Sequence, residues 1–175
     1  IGHFDGAEKP KLKTFREFPD YAKALKADHD PKKTKVMMYC TGGIRCELYS
    51  SLMKDEGFDA VFQLDGGALN YIKEERGKHW KGKLFVFDDR LAVPVNEEDD
   101  EVIGKCHHCD ASIDRVYNCA NTRCNELFVC CSECLEKFQG CCQTSCTESP
   151  YLRPYQQGVH KPFRKLHYYK EQMQK

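Results

Sequence analysis

The sequence predicts an α/β fold, a mostly parallel sheet flanked by helices, followed by a small cysteine-rich module of the zinc-binding kind. Three observations predict it. Short apolar runs alternate with segments of helical periodicity through the first half of the chain, and such alternation implies right-handed crossovers between parallel strands. Ten of the twelve cysteines fall between Cys106 and Cys146. Between these regions the acidic run "NEEDDE" reads as a solvated linker.

The elements follow in order. From about Pro19 to Ala27, Tyr21, Ala22 and Leu25 recur at helical spacing, and Pro19 suits a first helical turn. The charged stretch "DHDPKKTK" is a loop, and "VMMYC" reads as a short strand buried on both faces. Cys46 to Glu56 forms the next helix, with Leu48, Leu52 and Met53 on one side and Gly57 at its end. "AVFQL" is then a strand, "GGALNYIKEER" a helix, and "LFVFD" a further strand of the sheet. These elements define a first domain over residues 1–95, a cysteine-rich module over 104–147 and a basic, aromatic tail over 148–175.

Composition narrows the function classes. Lys plus Arg number 27 and Asp plus Glu number 27, so only local charge can argue for a nucleic-acid partner. No run of about 18 apolar residues offers a membrane span. The chain begins with Ile1 and its first residues lack a signal-peptide pattern, so it reads as a soluble piece of a longer polypeptide in a reducing cytoplasm. Oligomeric state is not legible.

Cys40 ends an apolar run and is followed at once by Thr41, Gly42, Gly43, Ile44, Arg45 and Cys46. A strand that ends in a tight Gly-rich turn opening a helix brings backbone N–H groups round to the side chain starting the turn. In that cradle a thiol is held as thiolate, and Arg45 adds a cation close by. Cys40 is therefore the candidate nucleophile; the alternative is a buried cysteine ending a core strand. A tyrosine-phosphatase loop needs arginine six residues after its cysteine. Here that position is Cys46, and the shorter ring suits a sulfur atom on Cys40 better than a phosphate. Cys46 is a candidate resolving thiol, or else an ordinary helix-face cysteine.

In the module the cysteines fall in pairs, and two residues between ligands let both thiolates reach one tetrahedral Zn²⁺. Cys106, Cys109, Cys131 and Cys134 form one predicted site, and Cys119, Cys124, Cys142 and Cys146 the other. Cys130, Cys141, His107 and His108 are possible substitutes, and disulfides are the alternative chemistry. Too few aliphatic residues are present for an independent core, so metal would supply folding free energy in a structural role. In the tail, Arg153, Lys161, Arg164 and Lys165 alternate with tyrosines and Phe163. Cations for phosphates and rings for bases fit RNA; a tail packed on its own domain is the bland alternative.

With these residues in view the chain resembles a known family. "GHFDGA" resembles the GHIxGA segment of rhodanese domains, "YCTGGIRC" their active-site loop, and "VFQLDGG" their late strand and Gly-Gly turn. "CTGGIRCE", "GKLFVFDDR" and "GCCQTSC" together resemble the rhodanese-domain tRNA uridine(34) hydroxylases. The resemblance implies a rhodanese-like first domain that lacks its opening strand and the family's ferredoxin-like N-terminal domain. It also implies oxygen-dependent formation of 5-hydroxyuridine in the tRNA anticodon loop, with Cys40 as the essential cysteine, acting through a persulfide. A plain sulfurtransferase is the competing expectation. The sequence displays neither GxGxxG nor an iron-binding constellation, and the oxidant or electron source is not read from it.

Overall fold

The computed structural model describes residues 1–12, 14–88, 90–95 and 101–153. Contacts divide the chain into two compact units, Phe4–Trp80, and Ile1–His3 with Lys81–Lys175. Both are mixed α/β.

In the first unit a 3-10 turn at Phe15–Glu17 leads into α1 (Phe18–Asp28), then β2 (Lys35–Met38), α2 (Ile44–Asp55), β3 (Ala60–Gln63) and α3 (Gly67–Glu75). The chain enters and leaves it through β1 (Gly2–Phe4) and β4 (Trp80–Gly82). Strand β2 pairs in parallel with β3, Lys35 opposite Ala60 through Met38 opposite Gln63. A parallel pair needs a crossover, and α2 supplies it. Ala22, Met53 and Phe58 are fully buried between the helices and the sheet, packed by Phe18, Leu25, Val36, Met38, Leu52 and Val61. Burying Phe58 and Met53 contributes roughly 1.5–3 kcal/mol each. Phe4 meets Tyr39, Tyr71 and Trp80 edge-on at centroid distances of 4.8, 4.8 and 5.0 Å.

The expectation of a strand covered on both faces does not hold. Strand side chains alternate between faces, so Val36 and Met38 point into the core while Met37 is 83% and Phe62 52% exposed. The two-stranded sheet is covered by its helices on one side among the described residues.

The second unit holds β5 (Leu84–Phe85), β6 (Ala92–Val93), β7 (Val116–Asn118), β8 (Leu127–Val129), α4 (Ser132–Lys137) and α5 (Thr144–Thr147). The expected "LFVFD" strand does not extend the parallel sheet: β5 pairs antiparallel with β6, Leu84 opposite Val93. Strands β7 and β8 form an antiparallel hairpin, Val116 opposite Val129 and Asn118 opposite Leu127. Tyr117, Phe128 and Leu135 share the core with seven buried cysteines, and Ile113, Phe138 and Leu152 pack round them. Most of the acidic run, residues 96–100, lies outside the described residues.

Candidate functional site

Strand β2 hands the chain to the Cys40 loop where the Leu64 N–H closes on the Met38 carbonyl at 2.9 Å. Cys40 is half-buried. The loop turns within three residues because Gly43, the N-cap of α2, adopts φ +85°, a region side chains resist. That turn aims its amides at the sulfur: Gly43 N–H donates to Cys40 Sγ at 3.0 Å. Burial alone would raise the Cys40 thiol. The N–H groups of Arg45 and Cys46, the Cys46 thiol and the Gly42 N–H outweigh it and hold Cys40 below the ordinary thiol range. A thiolate there is stabilised by donors that are already oriented.

Cys46 is buried in the first turn of α2, its N–H bonded to the Gly43 carbonyl at 2.9 Å. Burial, then the neighbouring Cys40 charge and the hydrogen bond to it, push the Cys46 thiol up to about 12. It stays neutral and donates. The Arg45 guanidinium donates to Thr41 Oγ1 at 3.4 Å and lies 4.3 Å above the Phe15 ring. Ile44, Leu48 and Leu69 are 80%, 68% and 49% exposed, an apolar rim beside the loop.

The sequence reading gave no role to the glycine pair before α3. Ala68 N–H donates to the Cys40 carbonyl at 2.9 Å and Leu69 N–H to the Thr41 carbonyl at 3.0 Å. The start of α3 thus turns these carbonyls away from the sulfur and leaves the amides facing it. A Cβ on Gly67 would lie 2.5 Å from the Cys40 oxygen, 2.6 Å from the Gly43 nitrogen and 2.9 Å from the Thr41 oxygen. All three are backbone atoms, and Gly67 has φ +67°. The signal was the "DGG" that opens a helix.

In the second unit all ten cysteines are thiols, and none of the described cysteines is in a disulfide. The structure brings the sulfurs of Cys106, Cys109, Cys131 and Cys134 within 4.8 Å of one another, and likewise those of Cys119, Cys124, Cys142 and Cys146. Local turns set them. Cys106 and Cys109 sit in a turn closed by Cys106 N–H to the Ala111 carbonyl at 2.8 Å, Cys131 caps α4, and α5 carries Cys146. Cys109 and Cys131 sulfurs are 3.7 Å apart, and those of Cys124 and Cys142 3.6 Å. Four thiolates about 2.3 Å from one Zn²⁺ in a tetrahedron are about 3.8 Å from each other, so the donor sets fit that ion.

Electrostatics agrees. N–H groups of Cys131, Cys134 and Cys142 point at the sulfurs of Cys106, Cys131 and Cys119 at 3.4, 3.5 and 3.5 Å. Burial pushes the Cys134 thiol up to about 12, helped by the hydrogen bonds it donates to its neighbours and by the Cys106 charge. Four thiolates this close repel, and a divalent cation is what would let all of them ionise.

The possible substitutes are not among the two groups of four sulfurs. His108 Nε2 lies 3.1 Å from the Cys141 carbonyl and its ring stacks on Phe138 at 3.9 Å, while Cys130 and Cys141 are fully buried outside both groups. Arg153 is placed differently from its expected RNA role. It is buried, its guanidinium donating to the Cys119 carbonyl and Asn125 Oδ1 and its N–H to the Ala120 carbonyl, so it ties down the Cys119 turn. Lys161, Arg164 and Lys165 lie outside the described residues.

No described helix is long and apolar enough to cross a membrane. A family model described as "Rhodanase C-terminal" matches residues 81–147. A protein of Protochlamydia amoebophila named tRNA uridine(34) hydroxylase is 59% identical over 97% of this chain and 53% of its own length. Proteins with the same name from Chlamydia felis and Chlamydia trachomatis are 55% and 54% identical over 95% of this chain and 52% of their own length. The chain thus spans about half the length of the curated relatives it matches. Nearly the whole chain is thus similar to proteins named tRNA uridine(34) hydroxylase, and its residues 81–147 match the rhodanese C-terminal family model.

Proposed function

We propose that this chain is the Cys40-bearing half of a tRNA uridine(34) hydroxylase, which converts the wobble uridine to 5-hydroxyuridine. The observation that carries the reading is the ring of amides and the Cys46 thiol on Cys40 Sγ, in a chain so similar to proteins of that name. A wobble base is already unpaired in its loop, so presenting it to a pocket costs little unstacking. Ile44, Leu48 and Leu69 offer apolar surface for its faces beside the sulfur. Overall, one atom of O2 replaces the C5 hydrogen as hydroxyl, and the other leaves as water with two protons and two electrons from an external reductant. In that reaction the loop's part is to hold a low-pKa sulfur against the base. Cys46 is its hydrogen-bond donor and the resolving thiol when Cys40 is oxidised.

A second reading is favoured by the same cradle. The Cys40 thiolate attacks the sulfane sulfur of thiosulfate, forming Cys40–S–S⁻ and releasing sulfite; an acceptor thiolate or cyanide then takes the outer sulfur and restores Cys40. The donors that hold a thiolate would equally hold the outer persulfide anion.

Two Zn²⁺ ions, one in each four-cysteine group, would act structurally, since four protein thiolates leave no open position for substrate. Lys161, Arg164 and Lys165 would meet tRNA phosphates, and the reducing cytoplasm is the compartment in which so many thiols persist. The test is nucleoside mass spectrometry of tRNA from cells lacking the gene and complemented with the full-length protein or its Cys40→Ser variant. Return of 5-hydroxyuridine with wild type alone supports the hydroxylase; modification independent of the gene, with brisk thiosulfate-to-cyanide transfer, supports the sulfurtransferase.

A further inference from the structure

We propose that the two four-cysteine groups load zinc as a single cooperative unit, so that neither ion is held without the other. The inference rests on the zinc reading above and on how the ligands are ordered along the chain. Cys106 and Cys109 serve the first group, Cys119 and Cys124 the second, Cys131 and Cys134 the first again, Cys142 and Cys146 the second again. The groups are interleaved, so no stretch of chain can be cut out that contains one site alone. Residues 109–131, which link the two pairs of the first group, include both turn ligands of the second. Residues 124–142, which link the two pairs of the second, include Cys131 and Cys134.

What joins the sites is short. Hairpin β7–β8 runs between them, with Cys119 following Asn118 at its turn end and Cys130–Cys131 following Val129 at its open end. Cys119 N–H to the Glu126 carbonyl at 2.7 Å closes the turn end, and Cys130 N–H to the Arg115 carbonyl at 3.1 Å closes the other. Helix α4 connects Cys131 to the second group through Gly140, whose N–H bonds the Leu135 carbonyl at 2.8 Å and whose carbonyl accepts from Ala120 N–H at 2.8 Å. A hairpin of three residue pairs and a helix of six residues are both marginal in water by themselves. Each is clamped by a ligand group at either end, and the buried core between the groups contains seven of the cysteines themselves. An ion in one site therefore orders the hairpin and helix that present the ligands of the other, and an empty site releases them. Each ion is a positive effector of its partner.

The test uses the full chain, titrated with Zn²⁺ from the metal-free reduced state and observed by native mass spectrometry. The expected populations are metal-free and two-zinc protein, with a Hill coefficient approaching about 2 and a one-zinc species that never dominates. A one-zinc species that accumulates to most of the protein at one equivalent overturns the proposal. Paired variants supply an independent readout: Cys106→Ser with Cys109→Ser disables the first group, and Cys124→Ser with Cys142→Ser the second. Zinc per chain by plasma mass spectrometry should fall from two to near zero in both, and retention of one ion by either overturns the coupling. Wild-type chain that takes up no zinc in the titration would defeat the zinc reading itself, a result distinct from independent loading.

Discussion

The Cys40 loop and the cysteine-rich module put the same atom to opposite uses. At Cys40 one half-buried sulfur faces amides whose aim is fixed by two glycines, and its ionised form is favoured by them. In the module, sulfurs crowd within 4.8 Å of one another, and several are pushed toward the neutral thiol. Backbone dipoles can stabilise one negative charge. They cannot stabilise four in the same space, and that excess is what a divalent ion would balance. Reactivity and structural support thus follow from how many sulfurs share an environment, rather than from how deeply each is buried.

The contrast can be broken most severely from the module's side. Stripping metal with a strong chelator under reducing conditions should abolish cooperative folding of the cysteine-rich region, since structural zinc contributes about 10 kcal/mol in small domains. Hydrogen exchange should report loss of protection across β7, β8 and α4; protection that survives chelation would mean the core stands without metal. From the other side, Cys40→Ser in the full-length protein should lower 5-hydroxyuridine formation by at least about 100-fold while leaving zinc content unchanged. Any change in zinc stoichiometry would show that the two kinds of sulfur are not separate.

Gly67→Ala tests the loop's scaffold. The added Cβ must displace backbone of Cys40, Thr41 or Gly43 at positive φ, a strain of about 1–3 kcal/mol, and the alkylation rate of Cys40 should fall about tenfold at neutral pH. The pH profile sharpens the comparison further. The thiolate is the reactive form and its pKa is lowered, so alkylation of Cys40 should persist below the ordinary thiol range and be lost only as pH falls through the lowered value. Cys46→Ala removes a donor to the thiolate and should move that inflection to higher pH; an unchanged inflection would assign the effect to the amides alone. The smallest effect is expected at the rim. Ile44→Ser should raise the KM for tRNA about two- to fivefold with thiosulfate-to-cyanide transfer intact.

What the sequence made legible was local. The turn after Cys40 could be foreseen because strand, glycine pair and helix start are consecutive, and the pairing of CxxC turns because each pair is closed by a few residues of backbone. What escaped depends on distant partners. The apolar content of "VMMYC" does not say what covers Met37, and the exposed face became visible only with β3 as the one strand alongside among the described residues. "LFVFD" has the composition of a core strand, yet two residues of it pair with Ala92–Val93 in the other unit. Arg153 reads as one of several tail cations, and its burial depends on a carbonyl 34 residues earlier. Gly66 and Gly67 read as a helix entry, while their contact with the Cys40 loop joins positions more than twenty residues apart.

Gly67 also bears on how sequences of this kind are sorted. A chain that keeps the Cys40 loop intact but carries any side chain at the position of Gly67 would retain the nucleophile in spelling while losing the amide geometry that activates it. Such a chain would pass a motif search and fail at the bench. Reading the second glycine of "DGG" together with the cysteine loop therefore separates competent from degenerate copies better than the cysteine alone.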